Sequence, residues 1–343
     1  MKSAEYWQKR FEQMAQSQFG KADQYDINLR KEYGHAIHSI NRNLAVFFQR
    51  FADNNGIVDY AETRKLLNGK ELKEFRMTVE EFIAKGKDNA DGRWTKQLNN
   101  VYFRTRISRL EALQIQIRQQ VEILAGKRQE DAEGLLGDVY TDTYYRTLFE
   151  LQKGTGIGVS VAKIDDEGLA KVLSTEFVGS NWSKRIWGDR DKLAVELQTR
   201  LAQSFIRGDS IDRTSKDLVK RMGVSRANAN RLVQTETAFF IEQATMEGYR
   251  QSGVVDQYEI LATLDLHTSE ICRAMDGKIF KISEMTVNIN CPPFHTHCRT
   301  TTVPYFEDEI DPGERIARNS KNGKTYNVPG DISYTKWYES YVG

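Results

Sequence analysis

The chain has 343 residues, 39% hydrophobic and 28% charged, and its 49 Lys and Arg nearly balance 48 Asp and Glu for a net charge of +1. That length allows two or three domains with real cores, and the charge balance argues against bulk electrostatic adhesion to nucleic acid while leaving local patches open. No apolar run approaches the roughly 20 residues a membrane-spanning helix needs, and Met1 to Phe19 is studded with charge, so neither a membrane span nor a secretory leader is expected and the chain is assigned to a reducing cytoplasm.

All five prolines, Pro292, Pro293, Pro304, Pro312 and Pro329, lie near the C-terminus. Proline interrupts helix interiors and strand ladders alike, so its absence before Pro292, with plentiful Leu, Gln, Glu, Lys and Arg, predicts long helices. Tyr33, Ile37, Ile40, Leu44, Phe47 and Phe51 recur at helical spacing, as do Phe103, Ile107 and Leu110, then Leu113, Ile117, Val121 and Leu124. Each set draws an apolar stripe, read as a packing seam between helices rather than a surface kept for a partner. Between Arg93 and Arg128, Lys and Arg far outnumber Glu111 and Glu122, which is either a solvated charged face or a surface for phosphate or an acidic protein.

Asn54-Asn55-Gly56 and Asp91-Gly92 are read as turns. Gly154-Thr-Gly156-Ile-Gly158 lacks the lysine and spacing of a phosphate loop and is read as a flexible joint. Helical character resumes near Leu169, with Trp182, Ile186 and Trp187, then Leu193, Leu197, Leu201 and Phe205. Ser215 to Gln234 has the pattern of a helix-turn-helix, with Gly223 at the turn, Ser225 as N-cap, and Arg226, Asn228, Asn230 and Arg231 on the second helix, although glycine-joined helix pairs also serve ordinary packing. Beyond Gly253, Tyr258 to Leu264, Lys278 to Phe280 and Thr300 to Val303 have strand composition, with Asp276-Gly277 as a turn. The expected fold is mainly α with a small α+β C-terminal module, an elongated helical body capped by a compact Cys/His-containing β-hairpin region. Its parts are a long-helix domain at 1–153, a glycine joint at 154–168, a helical segment at 169–253, a small β-containing Cys/His module at 254–306 and an acidic, then aromatic, tail at 307–343.

All three cysteines, Cys272, Cys291 and Cys298, fall in one window with His295 and His297. Cys272, Cys291, His295 and Cys298, with His297 as alternate, form a set of three thiols and one imidazole able to hold one structural zinc in a closed tetrahedron. The spacing departs from paired C-x2-C, so two other readings stay open: cysteines as small buried hydrophobes beside locally bonded histidines, or redox or catalytic thiols. A structural metal would staple a module too small to be stable from its own core. A catalytic one would need a nearby base, for which Asp265, Glu270 and Asp276 are the candidates.

Taken in order, Asp265-Leu-His-Thr-Ser269, Cys272, Asp276-Gly277-Lys278, Phe280, Asn290, Pro292-Pro293-Phe-His295, Cys298-Arg299 and Pro304 resemble the signature of the Mu F-like phage head morphogenesis family, the minor head proteins of tailed bacteriophages. Arg231-Leu-Val-Gln-Thr235-Glu236 is similar to the Arg and Thr-Glu element of that family, and the resemblance runs from about Trp182 to Pro304. It implies a non-enzymatic protein of the virion or procapsid, made in the bacterial host cytoplasm, that acts in head morphogenesis beside the portal protein and other head components and meets packaged DNA. Of the cluster, the resemblance carries Cys272, His295 and Cys298 rather than Cys291 and His297.

The other shared residues are read as architecture: Thr268 or Ser269 capping the turn before Cys272, Asp276 and Gly277 turning the chain, Arg299 pairing with a carboxylate such as Asp265, and Arg231, Thr235 and Glu236 forming a polar contact with the module. The competing classes are a metal-dependent or nucleotide-using enzyme built on the cluster, and a DNA-binding protein using the helix-turn-helix-like segment or the basic stretch. Glu307 and Glu309 form a Glu-x-Glu found in some ADP-ribosyltransferases, here without the companion Arg and Ser-Thr-Ser strand, so a solvated acidic linker is preferred. Trp337, Tyr338 and Tyr341 are expected to dock on this protein or on a neighbour.

Overall fold

The computed structural model describes residues 2–85, 100–102, 104–307, 314–318, 324–330, 332 and 334–341. The Asp91-Gly92 turn, Arg93, Phe103 and Glu309 lie outside these residues. The helices are α1 Ala4–Phe51, α2 Tyr60–Arg64, α3 Gly69–Lys85, α4 Arg109–Thr155, α5 Asp166–Leu173, α6 Trp182–Arg207 and α7 Ile211–Ser252. There follow β1 Gln257–Leu261, α8 Glu270–Met275, β2 Ile279–Lys281, a 3-10 turn at Ile282–Glu284, β3 Thr301–Tyr305, β4 Glu314–Arg318, β5 Thr325–Pro329 and α9 Tyr334–Tyr341. This is the mainly α chain with a small β-containing C-terminal part that the placement of proline predicts.

Two compact units form, one from Met1–Tyr25, Ala132–Gly179 and Arg231–Gly343, the other from Asp26–Asp131 and Ser180–Asn230. In the second unit the predicted stripes are packing seams: Tyr33, Ile40, Leu44 and Phe47 of α1 are buried, as are Leu113, Ile117, Val121 and Leu124 of α4. Phe205 of α6 packs against Phe47 and Phe48, with ring centroids 5.3 and 5.7 Å away. Asn181 caps α6 by accepting from the Lys184 amide at 2.9 Å, and Gly208 ends it in the left-handed region, where glycine carries no Cβ penalty.

Among the described residues of the basic stretch, several charges are paired inside this unit. Arg104 pairs with Glu111, Arg109 with Glu62 and Glu71, Arg118 with Glu122, Lys127 with Glu130 and Asp131, and Arg128 with Asp189. Buried Glu122 also receives Arg190 at 3.1 Å. Burial raises its pKa and the two arginines act against that shift.

The helix-turn-helix expectation is corrected: α7 runs unbroken through Gly223 and Ser225. Leu218, Met222, Ser225, Ala229 and Val233 are buried along one face, and the Ser225 hydroxyl bonds that of Tyr33 at 2.8 Å instead of capping a new helix. A mid-helix glycine costs about 1 kcal/mol relative to alanine, which this continuous buried stripe outweighs.

In the first unit the sheet order is β2-β1-β3, all antiparallel, with Tyr258 opposite Phe280 on one side and Pro304 on the other. Pro304 is tolerated because β3 is an edge strand with no second neighbour asking for its amide. Trp7, Phe11, Tyr249, Tyr258, Ile260, Phe294 and Val303 build the core beside all three cysteines. The C-terminal segment is no bare tail: β4 and β5 pair as a hairpin, and Ala317, Val328, Ile332, Tyr334 and Trp337 form a second core on Leu264.

The glycines at and just beyond the end of α4 have two roles. Gly156 takes φ +72°, which a side chain would strain, and Gly154 lies so close to buried Trp7 that a Cβ would sit 2.1 Å from its ring. The Gly154 carbonyl also accepts from the Lys2 amide at 2.9 Å. Replacing Gly154 by Ala should therefore lower stability by about 1–3 kcal/mol through overpacking, read as a lower Tm, whereas Gly158→Ala, with nothing within 4 Å of the added carbon, should leave Tm nearly unchanged.

Candidate metal centre

Three pieces of chain converge on the centre: the loop 263–269 with α8, the turn 294–300, and α7. The loop is organised by Asp265, whose carboxylate accepts from the His267 amide at 2.9 Å and the Thr268 hydroxyl at 3.1 Å. Arg299 closes on it with two hydrogen bonds of 2.6 and 2.8 Å. Burial opposes the charge on Asp265, but these donors hold its carboxyl below the usual carboxylate range. Ser269 then caps α8 by accepting from the Cys272 amide at 3.4 Å, which sets Cys272 on the buried side of that helix.

The far end of α8 is fixed by Asp276. Its carboxylate accepts from the Ala262 amide at 2.9 Å, from both terminal nitrogens of Arg315 at 3.1 Å, and from the Tyr334 amide at 3.1 Å. Gly277 follows at φ +74°, its amide donating to the Ile260 carbonyl at 2.9 Å, so the chain reverses into β2 where a Cβ would be strained.

Against this frame the sulfur and imidazole groups meet. Cys272 Sγ lies 3.1 Å from His295 Nε2 and 3.7 Å from Cys298 Sγ, and the ligand atoms of the three residues all fall within 4.8 Å of one another. His295 Nδ1 donates to the Thr296 carbonyl at 2.7 Å, which leaves the Nε2 lone pair facing the sulfurs. The Cys272 thiol stands beside Cys298, so the Cys298 thiol is brought down to about 7 while hydrogen bonding and burial push Cys272 up. Two sulfurs beside a fixed imidazole are a soft donor set, two sulfurs and one nitrogen, that fits a zinc-type cation, with the Thr296 carbonyl as the outer partner that orients the histidine.

Of the expected ligands, Cys291 does not join. The 286–291 turn folds on itself, with the Cys291 amide donating to the Thr286 carbonyl at 3.2 Å and the Asn288 amide to the Cys291 carbonyl at 2.8 Å. Its side chain is fully buried in the apolar core, where burial pushes the thiol up. His297, at φ +58°, is exposed, and its amide donates to the Thr235 hydroxyl at 3.2 Å. Burial, Arg231 and His295 together lower the His297 pKa, favouring the neutral ring. A cavity of about 20 Å3 adjoins the centre, lined in part by His267, Thr268, Cys272, His295, His297 and Thr300.

Of the helix residues named from sequence, Thr235 makes the contact to the module, and its hydroxyl also donates to the Arg231 carbonyl at 2.7 Å. Glu236 is buried and Arg231 is exposed. Two residues were missed. Arg315 is buried and joins Asp276 to the Ala262 and Ile332 carbonyls. Glu242 lies wholly inside, accepting from the Thr301 and Thr302 hydroxyls at 2.8 and 2.7 Å. The signal for Glu242 was its place on the face shared by Ala238, Thr245 and Tyr249, a carboxylate in an otherwise buried stripe.

Residues 195–303 match the family model described as Phage Mu protein F like protein. Over these residues the chain is similar to that family. The matched segment contains every residue of the centre and of the Asp265–Arg299 frame, which bears out the resemblance read from the sequence. Over 218 residues the chain is 28% identical to the minor head protein GP7 of Bacillus phage SPP1, covering 59% of this chain and 69% of that protein. Over 260 residues it is 23% identical to the NAD(+)--arginine ADP-ribosyltransferase EFV of Enterococcus faecalis (strain ATCC 700802 / V583), covering 71% of this chain and 52% of that protein. The chain thus spans about half the length of the transferase. No solved structure matches.

In the Mu F-like region, burial pushes the Glu242 carboxyl up to about 7 from its ordinary 4.5. Its folded-state pKa lies above the unfolded one, so its contribution is fully present below about pH 4.5 and is lost as pH rises through about 7. Glu242→Gln removes that titration. The stability of wild type relative to the variant should fall by about 3 kcal/mol between pH 4.5 and 8, measured by urea unfolding of both proteins across that range; a pH-independent difference would contradict it.

Proposed function

We propose that the chain is a non-enzymatic minor head protein of a tailed phage, made in the host cytoplasm and resident in the virion or procapsid, that works in head morphogenesis by docking at the portal vertex. The observation that carries this reading is the Mu F-like match over 195–303, alongside the similarity to a phage minor head protein. In the same reading Cys272, His295 and Cys298 hold one structural zinc, which would fasten α8 to the 295–298 turn. The surrounding carboxylates favour a staple over a catalyst. Asp265 is engaged by Arg299 and Asp276 by Arg315, so neither is a free base, and Glu270 is exposed in the first turn of α8. Contact with packaged DNA belongs to the same reading, but the ion pairs along α4 leave little free charge there to supply it.

The similarity to an arginine ADP-ribosyltransferase favours a second reading, transfer of ADP-ribose from NAD+ to arginine. Of the Glu-x-Glu pair, Glu307 accepts from the Gln257 side chain at 3.4 Å. Incubation with NAD+ and an arginine acceptor should release no nicotinamide; stoichiometric turnover would displace the head-protein reading.

Tagged protein co-expressed with the cognate portal protein should recover that portal protein, and deleting the gene should yield defective heads. No association together with normal heads would refute the proposal. For the staple, protein refolded with zinc should hold one equivalent, and His295→Ala should lower the unfolding free energy by several kcal/mol in zinc while leaving the metal-free protein little changed.

A further inference from the structure

We infer that His297 is the fourth ligand of the centre, which is then a closed tetrahedron of Cys272, His295, His297 and Cys298; the inference rests on the zinc reading above. A structural site takes four protein donors, and three are already gathered. Cys291, the fourth expected from sequence, is held in the apolar core by its own turn and does not reach the group. His297 lies between His295 and Cys298 in the chain and lines the same cavity. Its ring nitrogens lie outside the 4.8 Å group, so ligation requires the exposed side chain to turn inward about its own torsions.

The main chain supports that movement. His297 occupies the left-handed region at φ +58°, which a side chain adopts at a cost of order 1–3 kcal/mol and which concentrates at ligand clamps. What holds it there is visible: its amide donates to Thr235 of α7 at 3.2 Å. The residue is therefore anchored from outside the turn by its amide, and it lines the cavity beside the three gathered donors. Ligation through His297 would link three elements by one ion, namely α8 through Cys272, the 295–298 turn, and α7 through Thr235. That assigns the Arg231–Thr235 turn of α7 a part in the centre although it supplies no ligand. Cys298 and His295 already face the sulfur of Cys272, so a ring at His297 enters from the cavity side, where Thr268 and Thr300 also border the space. His267 borders the same cavity and is the competing imidazole.

Cobalt(II) loaded in place of zinc separates these cases, because its visible ligand-field bands are strong in a four-coordinate tetrahedron of protein donors and weaken when water enters. Wild type and His267→Ala should show the same strong bands, and His297→Ala should show weakened, shifted bands with zinc affinity reduced at least about 10-fold. His297→Cys should restore strong bands and add thiolate-to-cobalt charge transfer, a gain that a merely destabilised protein would not produce. Unchanged spectra and affinity in His297→Ala, or a spectral change in His267→Ala instead, would overturn the assignment while leaving the metal centre standing. Wild-type protein that takes up neither cobalt nor zinc would overturn the zinc reading itself.

Discussion

The Asp265–Arg299 ion pair ties the loop before Cys272 to the residue after Cys298, and the meeting of the two sulfurs depends on it. These segments are far apart in the chain and neither is a regular element long enough to place itself. A carboxylate with only 3% of its side chain exposed must be matched if the charge is to stay. Arg299 matches it with both arms, and the planar guanidinium fixes direction as well as distance. The Thr268 hydroxyl and the His267 amide fill the remaining acceptor positions, so the loop has one low-energy arrangement. Asp276 and Arg315 repeat the device at the other end of α8, where the guanidinium also reaches the Ala262 and Ile332 carbonyls. The C-terminal hairpin and α9 are thereby bound to the same short helix that presents Cys272.

The helical side contributes close approach and buried polarity. Gly248 of α7 lies against Thr147 of α4, with an added Cβ falling 2.6 Å from the threonine methyl, so the two helices meet nearly backbone to backbone. Six residues earlier on α7, Glu242 takes the hydroxyls of Thr301 and Thr302 and so fixes the register of β3 against the helix. A purely apolar contact would let that strand slide; two directional hydrogen bonds in a dry interior do not.

How much of this was legible in the sequence follows from how local each signal is. Long helices were readable because proline is absent over most of the chain and apolar residues recur at helical spacing, both properties of neighbouring residues. The strands at 257–261, 279–281 and 301–305 were readable from composition and from the Asp276-Gly277 turn between two of them. Gly223 misled because a glycine two residues before a serine is a local turn-and-cap signal, whereas the decision lay in the buried face running through Met222, Ser225 and Ala229. Arg315 was invisible for the opposite reason: it follows an acidic stretch in sequence, and only folding brings it 39 residues back to Asp276. Cys291 shows the limit of ligand counting, since its membership depended on which way a short turn points its side chain.

The same distinction bears on chemistry. A catalytic centre requires polar groups left poised, with a base free to take a proton and room for substrate. In the Mu F-like segment the buried polar groups of the frame and its surroundings are already engaged: Asp265 and Asp276 by arginines, Glu242 by threonines, His295 Nδ1 by a carbonyl. The adjoining cavity of about 20 Å3 is bordered by residues of the centre and its frame, His267, Thr268, Cys272, His295 and Thr300 among them. Groups bound this fully lower the energy of one conformation and so make this part of the chain rigid. Breaking either arginine pair would leave a buried carboxylate unmatched, and that charge would weigh against the very geometry that brings Cys272, His295 and Cys298 together.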